Sequence, residues 1–121
     1  DDYMYCGPSS VNENYYRGKV VLLFDERTQS HAEFTCMALQ TAPDATGVGS
    51  QTAGADGNVV LLPLPGGMYA YFTGLGVYYP DYRETQRIGI VPDISIRPTI
   101  RGIGEGIDEV LERAVAFIEQ N

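Results

Sequence analysis

With 121 residues the chain makes one domain at most, or part of one, and its mix of 44% hydrophobic and 20% charged residues is that of an ordinary globular protein. A net charge of −8 excludes nucleic acid and anionic membrane surfaces as partners, because either demands a basic face. No run approaches the roughly 20 apolar residues of a membrane span, and the two cysteines and single histidine offer neither a disulfide framework nor a metal-ligand spacing, so no metal or other cofactor is expected.

Residues 1–17 carry tyrosines, Cys6-Gly7-Pro8-Ser9-Ser10 and polar residues without a period, and read as an irregular arm or linker before a domain over 18–121. The opening Asp1-Asp2, with no start methionine, reads as a processed or excised product. Lys19 to Phe24 is an apolar run of the kind found in a strand buried on both faces of a parallel sheet. A helix is predicted over 31–41: Phe34, Met37 and Ala38 give the i, i+3, i+4 stripe, Cys36 falls inside as a small core residue, and Pro43 stops it. A bridge from Cys36 to Cys6 has no support in the spacing. Ala45 to Ser50 suits a second strand, completing a βαβ unit.

Gly54-Ala55-Asp56-Gly57 is a turn, and Val59–Leu62 and Tyr69–Thr73 flank the glycine-rich bend Pro63-Leu64-Pro65-Gly66-Gly67 as a hairpin. Val77-Tyr78-Tyr79 leads into the turn at Pro80-Asp81, and Ile88–Val91 is a further short apolar stretch ended by Pro92-Asp93. The clearest helix comes last. Ile107, Val110, Leu111, Ala114, Phe117 and Ile118 share one face, with Asp108, Glu109, Glu112 and Glu119 off it. The nine tyrosines suit hairpin and core packing better than a peptide groove, and Arg83, Arg87, Arg97 and Arg101 read as scattered, solvated charges.

The segment Glu26 to Phe34 carries the chemistry. A strand delivers Ser30 to the first turn of a helix, where free backbone N–H groups can stabilise an oxyanion. Ser30-x-x-Glu33 is equally the capping box of an ordinary helix start, and that reading is compatible with the first.

In order, Thr28-Gln29-Ser30-His31-Ala32-Glu33, Gly49-Ser50-Gln51-Thr52-Ala53-Gly54, Pro80-Asp81 and Gly89-Ile90-Val91-Pro92-Asp93-Ile94 resemble the carboxy-terminal processing (tail-specific) serine peptidases over roughly residues 18 to 120. The resemblance implies an α/β fold: a partial crotonase/ClpP-like β-β-α core with a β-hairpin and a C-terminal helix. It implies serine-type hydrolysis of peptide bonds in a peptide or protein substrate, with Ser30 as nucleophile, the backbone N–H of His31 in the oxyanion hole and Glu33 supporting the helix start. It also implies an extracytoplasmic location, in the periplasm or cell envelope.

One departure is decisive for mechanism. The family's usual general base is a lysine 25 residues after the serine, and that position here is Ala55; Lys19 is the sole lysine. The Ser–Lys dyad is therefore absent. A base from outside this chain, as in the tricorn pattern, would be oriented by Gln86 or Glu84; local alternatives are His31, Asp56 and Glu84. The chain alone is expected to be inactive. The rival reading is a non-catalytic peptide- or ligand-binding domain that keeps the peptidase fold.

Overall fold

The structure, a computed structural model, describes residues 13–120; the greater part of the expected arm, Cys6 included, lies outside them. Strand β1 (Val20–Phe24), helix α1 (His31–Leu39) and strand β2 (Ala45–Gly49) form the expected βαβ unit, with β1 and β2 parallel and in register from Val20 opposite Ala45 to Phe24 opposite Gly49. The short strand β5 (Ile94–Ser95) adds in parallel to the other edge of β2, so the sheet order is β1-β2-β5 with β2 central.

A central strand of sequence Ala-Thr-Gly-Val-Gly is weak by propensity. Its glycines are there for the close approach of Phe24. A Cβ on Gly49, whose φ is +140°, would fall 1.9 Å from the Phe24 carbonyl oxygen. The core gathers on the α1 side of the sheet: Phe24, Met37 and Ile90 are buried against Leu22, Phe34, Cys36, Val77 and Tyr79. Helix α3 (Glu109–Glu119) lies against β1 and β2, and the Lys19 ammonium reaches its C-terminal end, donating to the Phe117 carbonyl at 3.1 Å. A cation near the last carbonyls suits the helix dipole.

Two expectations need correction, and two further features were not foreseen. The β1 run is not buried along its whole length: Leu23 is 44% exposed, whereas Phe24 is 5% exposed. Helix α1 stops at Leu39, and residues 40–42 turn away through backbone bonds such as Ala42 N–H to the Leu39 carbonyl (3.1 Å). The apolar stretch Ile88–Val91 is irregular, with Ile90 fully buried; the strand that pairs begins beyond Pro92-Asp93. Helix α2 (Ile100–Glu105) was not expected, because two glycines in six residues depress helix propensity. Its caps make it: Thr99 accepts from the Gly102 N–H, and Gly106 closes it in the left-handed region.

The hairpin runs longer than its sequence signal, as β3 (Val59–Leu64) and β4 (Met68–Thr73), with Pro63 inside β3 opposite Tyr69. Every residue of both strands except Ala70 is exposed. A proline fits because both strands are edges.

Candidate active site

The loop from β1 to α1 is held by local bonds before it reaches Ser30. The Thr28 N–H donates to the Asp25 carbonyl (2.9 Å), the Asp25 N–H to the Thr28 hydroxyl (3.1 Å), and Arg27 pairs with Asp25 at 2.6 Å. Ser30 then takes φ +54°, ψ −127°, a conformation that costs a non-glycine residue about 1–3 kcal/mol. An ordinary helix cap needs no such strain: Thr99 caps α2 at φ −91°, ψ 156°. Thr99 and Asp108 each also accept a backbone N–H at 3.0 Å. The Glu33 amide lies toward the Ser30 hydroxyl, but the contact falls short of hydrogen-bond geometry, so the capping box is carried by its other half, the Ser30 N–H donating to Glu33 Oε2 at 3.0 Å. Ser30 is exposed at the head of the helix.

His31 follows as the first helical residue, so its N–H is among those with no intrahelical carbonyl. Its ring is exposed and stacks on Phe34, with centroids 6.4 Å apart.

Glu33 does more than start the helix. It is 1% exposed, and its carboxylate accepts from the Ser30 N–H, the Gly54 N–H (2.7 Å), the Ala55 N–H (2.8 Å) and the Thr52 hydroxyl. Thr52 Oγ1 in turn accepts from the Ile90 N–H at 2.7 Å, and the Ala53 N–H donates to the Thr28 carbonyl at 3.0 Å. One buried carboxylate thus ties the Ser30 turn to the segment 52–55, and Thr52 ties both to the loop at Gly89-Ile90. Gly89 must be glycine there, since a Cβ would sit 2.6 Å from Thr52 Oγ1.

This places Ala55 beside Ser30: their amides share Glu33 Oε2. The Ala55 side chain is exposed and carries no proton-accepting group.

Asp56, the next residue, is 5% exposed. Its Oδ1 accepts from the Gly57 N–H at 2.7 Å, while Oδ2 is buried with no hydrogen-bond partner among the described residues. Burial pushes this carboxyl above the ordinary carboxylate range and the nearby Glu33 adds to it, against the lowering pull of the Gly57 N–H and His31. Of the local base candidates, Asp56 is the buried one.

Gln86 is drawn into the same place, and both ends of its amide bond to backbone. Nε2 donates to the Asp56 carbonyl (2.9 Å) and the Leu75 carbonyl (2.8 Å), and Oε1 accepts from the Val77 N–H at 3.4 Å. Glu84 is not brought to Ser30. It is exposed, bridges Tyr78 across a turn, and edges an open cleft of about 500 Å³ with Gln40, Tyr79 and Arg83.

Sequence reasoning missed two features of this region. Thr52 acts as the link between two loops, for which the threonine of Gly-x-x-Thr-x-Gly was the available signal. Ser50 donates to Glu26 at 2.5 Å, and that bond is the main cause holding the Glu26 carboxyl below its usual range. Cys36 is a free, half-buried thiol, raised by burial. Among the described residues no cluster of three or more His, Cys, Asp or Glu side chains is placed to hold a metal.

The model of peptidase family S41 matches residues 3–96, reaching further toward the N-terminus than the motifs did and stopping before α2. No curated protein sequence matches the chain. Among solved structures, a peptidase of Parabacteroides merdae superposes with a TM-score of 0.80 at 24% identity, over 86% of this chain and 33% of that one. Mature CPAF in complex with lactacystin gives 0.70 at 26% identity, over 85% of this chain and 21% of that one. The tricorn protease gives 0.73 at 19% identity, over 99% of this chain and 12% of its own. The chain therefore spans a third or less of the length of each of these structures.

Proposed function

The chain belongs to peptidase family S41, and from that membership we propose that it supplies the nucleophile of a serine-type peptidase. Ser30 Oγ attacks the scissile carbonyl of a peptide or protein, forms an acyl-enzyme, and is released by water. The His31 N–H stabilises the oxyanion, an interaction worth about 3–4 kcal/mol of barrier. Glu33 acts through the backbone, fixing the Ser30 amide and segment 54–55 together. The base comes from outside these 121 residues, because position 55 holds alanine. Carboxy-terminal processing and an extracytoplasmic location belong to the same proposal and rest on the family resemblance.

The observation that carries this reading is the strained backbone of an exposed Ser30 between strand and helix. A helix cap gains nothing from φ +54°; a nucleophile that must project from a sharp turn does. A binding domain that merely kept the fold would bury Ser30 as a cap beside a large apolar cavity, and Ser30 is exposed.

The test is to react the full-length protein carrying this chain with a fluorophosphonate and map the adduct. Modification of Ser30, lost in Ser30→Ala, is the expected result. A folded protein left unmodified at Ser30 would defeat the proposal and favour the binding domain.

A further inference from the structure

The hairpin β3–β4 has one edge built for pairing. Residues 57–76 hold none of the chain's 8 basic and 16 acidic residues, and every residue of both strands except Ala70 is exposed. We propose that the outer edge of β4 joins two copies of this chain, β4 against β4 antiparallel, across a twofold axis at Tyr71. The two-stranded sheet of each copy then becomes half of a four-stranded one. This goes beyond the peptidase reading and does not depend on Ser30.

The ladder decides which backbone groups face outward. The Gly74 N–H donates to the Asn58 carbonyl at 3.1 Å, one step beyond the Val59–Thr73 pair. In an antiparallel pair, such hydrogen-bonded positions alternate with positions whose N–H and C=O point away from the partner. Thr73, Tyr71 and Tyr69 therefore face the outer edge of β4, and Val59, Leu61 and Pro63 face that of β3. Pro63 has no N–H to offer, so it breaks the donor row on β3, as natural sheets do to guard an edge. The β4 edge carries no proline, no charge and no break in its register. One open edge and one guarded edge let the sheet grow once, to a dimer, and stop there.

A second copy fits this edge in geometry, charge and area. A twofold axis at Tyr71 sets that residue opposite itself and Tyr69 opposite Thr73, so each outward N–H meets an outward carbonyl. On one face tyrosine borders tyrosine; on the other, Phe72 lies beside Ala70 of the second copy, large against small. At a net charge of −8 two copies repel through their charged faces, and the uncharged hairpin lets them meet with least repulsion. A charged partner would bury its charges against an edge with nothing to pair them. The chain exposes 9262 Å², against about 6,400 Å² for a compact monomer of its size. Giving up the roughly 800 Å² per partner of a standard interface still leaves it more open than that. Two strands alone are marginal in water, whereas three or more with an apolar face can hold.

Sedimentation equilibrium over a concentration series tests this. Wild type is expected to pass from monomer to dimer at roughly micromolar concentration. Tyr71→Pro removes an outward N–H and no bond of the β3–β4 ladder, so it should weaken the dimer roughly tenfold or more. Leu61→Pro makes the same change on the outer edge of β3 and should leave the dimer intact. A wild type still monomeric at roughly millimolar concentration, or equal effects of the two prolines, would overturn the proposal. Hydrogen exchange needs no variant. The Tyr69, Tyr71 and Thr73 amides should exchange as in a lone hairpin when dilute and slow as concentration rises; rates indifferent to concentration overturn it. Slow exchange at these amides in a monomeric full-length protein would assign the edge to another segment of that polypeptide and overturn the second copy as its occupant.

Discussion

The Glu33 carboxylate, 1% exposed, accepts four hydrogen bonds, so deleting one side chain removes the partner of three backbone amides and a hydroxyl at once. Glu33→Ala is expected to cost roughly 3 kcal/mol or more, at the upper end for an unsatisfied buried cluster, and to unfold the Ser30 turn before the sheet. Urea denaturation followed by circular dichroism, with amide exchange at residues 52–55, measures both. Asp56 makes the opposite kind of prediction. Its folded carboxyl is raised above the unfolded value, so its contribution is fullest below the ordinary carboxylate range near pH 4 and is lost as pH rises through the folded value. Wild type should therefore lose stability relative to Asp56→Asn between about pH 4 and neutrality, and the gap should close on acidification. A pH-independent difference between the two melts would refute this.

The elements carry strain and support in different places. If Ser30 holds its positive φ against a steric cost, glycine relieves that cost and alanine does not. Ser30→Gly should be more stable than Ser30→Ala by about 1 kcal/mol, the strain gained less the entropy that glycine loses. Equal stabilities would mean that the turn is not strained. The hairpin β3–β4 has register but no layer: its apolar side chains, from Val59 to Phe72, are exposed on both faces. A lone two-stranded hairpin is marginal in water. Its amides should exchange far faster than those of β1 and β2, and Leu61→Lys should change the melting free energy of the chain by no more than about 0.5 kcal/mol. A cost of several kcal/mol would show that Leu61 is packed.

For the molecule as a whole, the surface is large for its mass. The chain exposes 9262 Å², where a compact monomer of its size exposes about 6,400 Å². Among the described residues the buried apolar side chains are few: Phe24, Met37, Val48, Ile90 and Ala114. Such a thin core, together with the alanine at position 55, leads to one expectation. The 121-residue chain by itself should show no peptide turnover above that of Ser30→Ala. Measurable turnover abolished by Ser30→Ala would place a complete catalytic set within these residues.

The sequence by itself determined the local and the sequential: the βαβ order, the capping signal at α1, the apolar face of α3, the hairpin with its glycine bend, and Ser30 at a strand-to-helix turn with alanine at position 55. These follow from periodicity, turn chemistry and motif order, which are properties of neighbouring residues. Tertiary structure decided what depends on distant residues meeting. Ile94–Ser95 becomes a strand because β2 offers it an edge, not because two residues have a strand pattern. Asp56, flanked by Ala55 and Gly57, has the local sequence of a solvated turn, yet the turn folds it inward under Gln86. Glu33 becomes a hub only when segment 52–55 closes over the helix start. Burial and hydrogen-bond partnership are set by which segments pack together, and no window of sequence contains both partners.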